Sequence, residues 1–437
     1  MQQACNRQHR RHGPGPELNS DEQAIATLDA LLADGGQRLC IVVAPDNLDE
    51  IEVVVPPGGT DRLRASIAAR IAAECPAATV LARRAGRQFV VVLPDADLAA
   101  AADMAARLIL AVPQCRVAVD GRRPGVTARV ATLSTALARP CTAERVLQLA
   151  DAAAILARGR ISGAGSVFLA GDTALAGLEL AARHLTDLPE AVDQGRIRLS
   201  AQEIVSLAPH PAGYREYEVL MQLEDADGQL HPPGSFIGRA EKSALIELLD
   251  RGVISTALIG HADALQAAPH VRLSLNVSGR SLSNPDLWPF VDQVLAASGI
   301  DPARIQLEIT ETAAILDLPA AQENVRRIRA AGCRVALDDF GAGLSGFAYL
   351  NSFDLDGIKI DGALIPGLAD PDSAETAIVS MLIRLARRLD LEVVAEHVAS
   401  EPTLDALRAM GVGKVQGFLM GWPKNLRQVL EAEAKSV

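Results

Sequence analysis

From about Ile197 onward the chain repeats one unit. A short aliphatic run closes on a polar or charged residue, and an amphipathic helix follows. LSLN closes on Asn276, IQLEIT carries Glu308, RVALDD closes on Asp338 and Asp339, GIKID carries Lys359, LEVVAE closes on Glu396 and KVQG carries Gln416. An earlier run, YREYEVLMQL, adds Glu218. Helical patterns such as Ala320–Ala331 and Ala374–Leu389 lie between the runs. Strands that are apolar throughout and joined through helices are buried on both faces, which predicts parallel pairing. About eight strands over roughly 240 residues favour an α/β fold of the (β/α)8, TIM-like type.

In such a barrel the strand ends converge on one mouth. A lone acid at a strand end is usually a helix cap or an ion-pair partner, but successive strand ends delivering Glu, Asn, Glu, Asp-Asp, Lys and Glu are hard to explain that way. Gathered carboxylates repel one another unless cations lie between them. All-oxygen ligation suits Mg2+ or Mn2+, and two such ions about 3.5–4 Å apart would clamp a phosphodiester and acidify a water. Lys359, flanked by Ile358 and Ile360, either pairs with a carboxylate or reaches to a rim. The surrounding acids favour pairing, with a role in orienting the attacking water. Gly341 and Gly343 after Asp339 predict a tightly turned or moving loop, although plain turn chemistry would need the same residues.

The 437 residues exceed one hydrophobic core, so two domains are expected. Between Arg38 and Leu169 the runs LCIVVA, IEVVV, TVLARR, QFVVVLP, CRVAVD and VTARVATL read as strands. Helices are expected near Thr60–Glu74, Asp97–Val112 and Thr142–Ala157, giving an α/β sandwich. The expected division is a disordered lead-in over 1–35, a first domain over 36–170, a helical linker over 171–194 and the barrel over 195–437. The lead-in has basic residues but no apolar run, so it is not a secretory signal, and its His9 and His12 belong to a solvated tail. A net charge of −12 argues against a nucleic-acid partner. No uninterrupted apolar run is long enough to cross a membrane. Six scattered cysteines without a C-x-x-C pair suit reduced thiols in the cytoplasm.

The second domain resembles the EAL phosphodiesterase family over about 230 residues. In order come Glu218-Val219-Leu220, Asn276, Glu308-Ile309-Thr310-Glu311, Asp338-Asp339-Phe340-Gly341, Lys359-Ile360-Asp361, Ala395-Glu396, Gln416-Gly417-Phe418 and Pro423. The resemblance implies hydrolysis of cyclic di-GMP to pGpG with two Mg2+ or Mn2+ ions. It implies Glu218, Asn276, Glu308, Asp338 and Asp339 as metal ligands, Lys359 and Glu396 as the residues that orient and deprotonate water, and Gln416 behind them. Glu311 would anchor the loop after Asp339, a loop that couples dimerisation to activity in the family. Leu220 and position 222 would face substrate. A homodimer through this domain is also implied, and a regulatory protein partner belongs to the receptor reading given below.

Three positions depart from that pattern. Gln222 stands where the family has an arginine that grips a phosphate, and a neutral amide cannot form charge-assisted bidentate bonds. Ala399 replaces a second glutamate, and the loop reads GAGLSGF. His397 is expected to be a packing or surface residue. The first domain resembles a degenerate GGDEF, nucleotidyl-cyclase-like domain. Ala85-Gly86-Arg87-Gln88-Phe89 occupies the signature position, Ala44 sits where a metal-binding Asp is expected, and Pro76 and Thr79 replace the product-binding pair. Cyclase activity is not expected there. Three readings stay open: a phosphodiesterase, a cyclic di-GMP receptor with little turnover that regulates a partner, and a scaffold.

Overall fold

The computed structural model describes residues 18–436 except 56–57, 77, 85–87, 94–96, 116–117, 119–122, 139, 159–165, 169–172, 208–212, 311–314 and 342–345. The chain divides into two compact units, Met1–Glu179 and Leu180–Val437. The division falls within the helix Thr173–Asp193.

The first unit holds strands β1 (Leu18–Asn19), β2 (Leu39–Pro45), β3 (Val80–Arg83), β4 (Phe89–Leu93), β5 (Ala128–Ser134) and β6 (Ser166–Phe168), in the sheet order β1-β3-β4-β2-β5-β6. The period of two along each strand sorts its side chains into two cores. Cys40, Val42, Val90 and Val92 join one cluster. Ile41, Val43, Phe89 and Val91 join the other. Two sequence expectations fail here. IEVVV is not a strand, because Leu48–Val54 is helical. Its buried residues, Leu48, Ile51 and Val55, follow helical spacing, while Val53 and Val54 face solvent. The stretch expected to lead in without order contains the helix Asp21–Leu32, started by a Ser20–Gln23 capping box. The run CRVAVD falls largely outside the described residues.

The second unit holds β7 (Ile197–Ser206), β8 (Arg215–Glu224), β9 (Leu230–His231), β10 (Val271–Val277), β11 (Ile305–Thr310), β12 (Arg334–Phe340), β13 (Gly357–Ile360), β14 (Glu392–Ala395), β15 (Lys414–Val415) and β16 (Lys424–Asn425). Strands β8, β10, β11, β12, β13, β14 and β15 pair in parallel in that order. Strand β7 closes the cylinder and runs antiparallel to its barrel neighbours, β8 and β15, and to the short β16. The barrel is therefore not wholly parallel, as the repeat suggested. An antiparallel neighbour needs no crossover helix, and no helix among the described residues separates β7 from β8.

Helices cover the outer face. Ala374–Arg388 buries Val379, Leu382, Ile383 and Ala386 at helical spacing, and Ser373 caps it by accepting from the Thr376 N–H. Strand residues Tyr217, Val219 and Met221 point outward into this core. Their neighbours Glu216, Glu218 and Leu220 point inward. No described helix is long and apolar enough to cross a membrane.

Candidate active site

The inward positions place the chemistry. Glu218 lies on β8, Asn276 on β10, Glu308 on β11, Asp338 on β12 and Lys359 on β13, while Glu396 and Gln416 directly follow β14 and β15. Lys359 is fully buried at the centre. Its Nζ lies 3.0 Å from Glu218 Oε2, 2.8 Å from Glu308 Oε2, 3.2 Å from Asp338 Oδ1 and 2.7 Å from Glu396 Oε1. The sequence expectation that this lysine pairs is met four times over. Gln416 Nε2 donates to Glu218 Oε2 at 2.7 Å and to Gln202 Oε1 at 3.2 Å. Asn276 Nδ2 donates to Glu218 Oε1 at 2.9 Å.

Asp338 and Asp339 are adjacent, so in a regular strand they would face opposite sides. The register between β12 and β13 shifts between Leu337 and Phe340. Asp339 takes φ 54°, a left-handed conformation unusual for a side-chain-bearing residue. The kink brings both carboxylates to the mouth. Gly417, at φ 156°, passes so close to Val398 that a Cβ would lie 2.2 Å from the Val398 carbonyl oxygen. Only glycine fits beside Gln416.

A second polar layer lies beneath. Glu216 pairs with Arg272 at 2.8 Å and with Lys414 at 2.6 Å. Lys414 and Arg334 share Glu392 at 2.7 and 2.8 Å. Gln306 donates to Glu308 Oε1 at 3.0 Å. Sequence reading missed Gln306 and Gln202. Gln202 carried no signal because it lies on the antiparallel strand, mid-run and not at a strand end.

The electrostatics show what the site can hold. Burial pushes Glu308 up to about 7, opposed by Lys359 and reinforced by Glu218 and Asp338. Burial, then Asp338 and Asp361, pushes Asp339 up to about 6. Asp338 and Glu396 are raised as well, again mainly by burial. Burial works against the charged form of Glu218 too, but Lys359, Gln416 and Asn276 outweigh it and hold its pKa low. Burial likewise disfavours the Lys359 ammonium, but four carboxylates keep it charged. If all five carboxylates ionise, one ammonium leaves four negative charges, which two divalent cations would balance. The donor set fits such ions. Glu218, Glu308 and Asp338 bring oxygens within 4.8 Å of one another, and so do Asp338, Asp339 and Glu396. Asp338 belongs to both groups. Gln416 Oε1 is buried without a partner.

Two cavities flank the cluster. One of about 480 Å³ is lined by Glu218, Asp338, Asp339, Glu396 and Gln416. The other, of about 310 Å³, is lined by Asn276, Thr310 and Asp339. Leu220 faces both. Gln222 lines neither; it faces a third cavity beyond Leu220. His397 is exposed and its ring packs over Gly362, where a Cβ would meet it at 1.8 Å. Glu311 and residues 342–345 of the loop lie outside the described residues. In the first unit, Ala85–Arg87 do too. Gln88 is buried and donates to Asp151 Oδ1 at 2.6 Å, beside the Arg84–Asp151 ion pair at 3.2 Å.

The model of the EAL domain family matches residues 185–423. An "Uncharacterized signaling protein" of Caulobacter vibrioides is 33% identical over 405 residues, covering 91% of this chain and 48% of its own length. Cyclic di-GMP phosphodiesterase PdeB of Shewanella oneidensis is 28% identical, with 85% of this chain and 43% of its own length covered. The chain thus spans about half the length of these relatives. The structure of PaMucR phosphodiesterase in complex with c-di-GMP aligns with TM-score 0.51 at 31% identity over 56% of this chain and 99% of that one. The Vibrio cholerae LapD S helix-GGDEF-EAL structure shares the fold, with TM-score 0.55 at 18% identity over 92% of this chain and 94% of that one.

Proposed function

This chain belongs to the EAL domain family, and from that premise we propose that its C-terminal unit hydrolyses cyclic di-GMP to pGpG. The observation that carries the reading is the pair of carboxylate triads sharing Asp338 around a buried lysine. Glu218, Asn276, Glu308, Asp338 and Asp339 would hold two Mg2+ or Mn2+ ions. When bound, such ions supply charge neutralisation for the phosphodiester and a lower pKa for a water.

The chain's own residues do the rest. Asn276 spends its N–H on Glu218, so its amide oxygen is the atom left for a cation. Gln416 and Gln202 fix the orientation of Glu218. Lys359 keeps Glu218, Glu308, Asp338 and Glu396 within reach of one another and orients the attacking water. Glu396, at the edge of the cavity, takes the proton as the water oxygen bonds to phosphorus. The P–O3′ bond breaks, and that proton neutralises the leaving alkoxide.

A second reading, a receptor that binds without turnover, is favoured by Gln222 and Ala399. Incubation of the full chain with cyclic di-GMP and Mg2+ or Mn2+, followed by chromatography, separates the two. Appearance of pGpG supports the enzyme. Micromolar binding without product supports the receptor, and no binding removes both. The first unit reads as a degenerate cyclase-like domain without cyclase activity. In support, Asp151 is engaged by Gln88 and Arg84. Conversion of GTP to cyclic di-GMP by the chain would overturn that.

A further inference from the structure

We infer that Arg198, on the one antiparallel strand of the barrel, is the residue that grips the phosphate of the ligand at the barrel mouth. The inference rests on the proposed function, in that the ligand is an anionic dinucleotide. Strand β7 starts at the mouth where every parallel strand ends. Its residues pair with those of β8 in the order Gln202 with Glu218, Ser200 with Leu220 and Arg198 with Gln222. Directly opposed residues of an antiparallel pair point to the same side of the sheet. Arg198 therefore shares the inward face of Glu218 and stands two pairs nearer the mouth, level with Gln222.

The cavities support this placement. A cleft of about 710 Å³ is lined by Arg198 and Gln222. Leu220 and Pro423 line both this cleft and the cavity over the acidic cluster. Leu220, Met221 and Pro233 join it to the cavity beside Asn276. Among the described residues lining all three, Arg198 is the single Lys or Arg. Lys359 is buried beneath and committed to four carboxylates. An anion spanning these cavities meets one accessible positive side chain.

Arg198 is also poised. Its guanidinium is about half exposed, pairs with Glu224 and donates to the Gly195 carbonyl oxygen at 2.7 Å. Glu224 lines the same cleft. It holds the guanidinium as a phosphate would, and a phosphate offers the same planar fork a pair of acceptor oxygens.

The test measures cyclic di-GMP affinity of the full chain by calorimetry with Ca2+ in place of Mg2+ to limit turnover. Arg198→Ala is expected to weaken binding by about ten- to a hundredfold, the scale of one charge-assisted contact. Glu224→Gln is expected to tighten it by freeing the guanidinium. Arg198→Ala/Gln222→Arg is expected to recover most of the affinity, because it returns the charge to the same level of the mouth; a structural defect would not be rescued that way. Wild-type affinity in a folded Arg198→Ala protein, or failure of the rescue, would overturn the assignment while leaving the proposed function standing. A wild-type chain that binds no cyclic di-GMP would overturn both.

Discussion

Both units are built from aliphatic strands and helices, yet they treat charge in opposite ways. In the first unit each sheet face is covered by its own apolar cluster, and strands such as β2 and β4 are buried on both sides. Its ion pairs stay outside those clusters, at strand ends, as with Asp46–Arg129 and Arg84–Asp151, or on helices, as with Arg70–Glu74. In the second unit the sheet closes on itself. One face still packs on helices, but the other becomes an interior lined by carboxylates, amides and a lysine. The open sheet between helix layers holds mainly apolar side chains on both faces. A closed one brings polar residues from distant strands within hydrogen-bond reach and limits the water that would screen them. That difference places the chemistry in the second unit.

The largest effect that sharpens this contrast is expected from Glu218→Ala. It removes a carboxylate touched by Asn276, Gln416 and Lys359, and turnover should fall by at least about 10²- to 10³-fold, the scale of losing one charge-stabilising group. Product chromatography reads it, and an unchanged rate would misplace the metal site. Lys359→Met comes next. It strands four carboxylates without their ammonium, and breaking such a buried pair costs about 3–5 kcal/mol. Urea unfolding of the cation-free protein should show the loss, and Mn2+ should restore part of it. Stability that is insensitive to the lysine would mean the acids are neutral on their own.

The pH response is smaller. Glu308 at about 7 and Asp339 at about 6 lie above their values in the unfolded chain. Between those limits the folded state holds more protons than the unfolded one, so stability rises as pH falls. The cation-free chain should therefore be more stable at pH 5.5 than at pH 8, by about 1–3 kcal/mol in urea titrations. Saturating Mg2+ should reverse the trend, because bound cations displace those protons. A flat profile without cations would contradict the buried acid cluster. The smallest effect belongs to the first unit. Gln88→Ala leaves Asp151 with one partner fewer and should cost about 1–2 kcal/mol of that unit's stability, without changing turnover per folded molecule. A large loss of turnover would break the division of labour between the units.

Much of the barrel site was legible as strand-end chemistry. Asn276, Asp338 and Glu396 stand where aliphatic runs stop, Glu218, Glu308 and Lys359 interrupt such runs, and alternation along a strand decides which side chains share a face. The strand expected at IEVVV was misread because β-branched composition outweighed the helical spacing of Leu48, Ile51 and Val55. Gln202 and Arg198 were invisible for a topological reason. On an antiparallel strand the mouth lies at the start of the run, where the repeat gives no cue. The joint use of Asp338 and Asp339 depended on a left-handed residue at a register shift, which neither propensity nor periodicity encodes.

By itself, the sequence determined the strand–helix repeat, the inward-facing carboxylates and the lysine among them, because these follow from periods of 2 and 3.6 residues and from the cost of burying charge. Only the tertiary structure decided that the first strand runs backwards, that Gln416 reaches Glu218 at 2.7 Å across 198 residues of chain, and that one lysine serves four acids. Those contacts arise when the sheet closes. Closure and register are set by the packing of the whole barrel at once, and no local stretch of sequence specifies them.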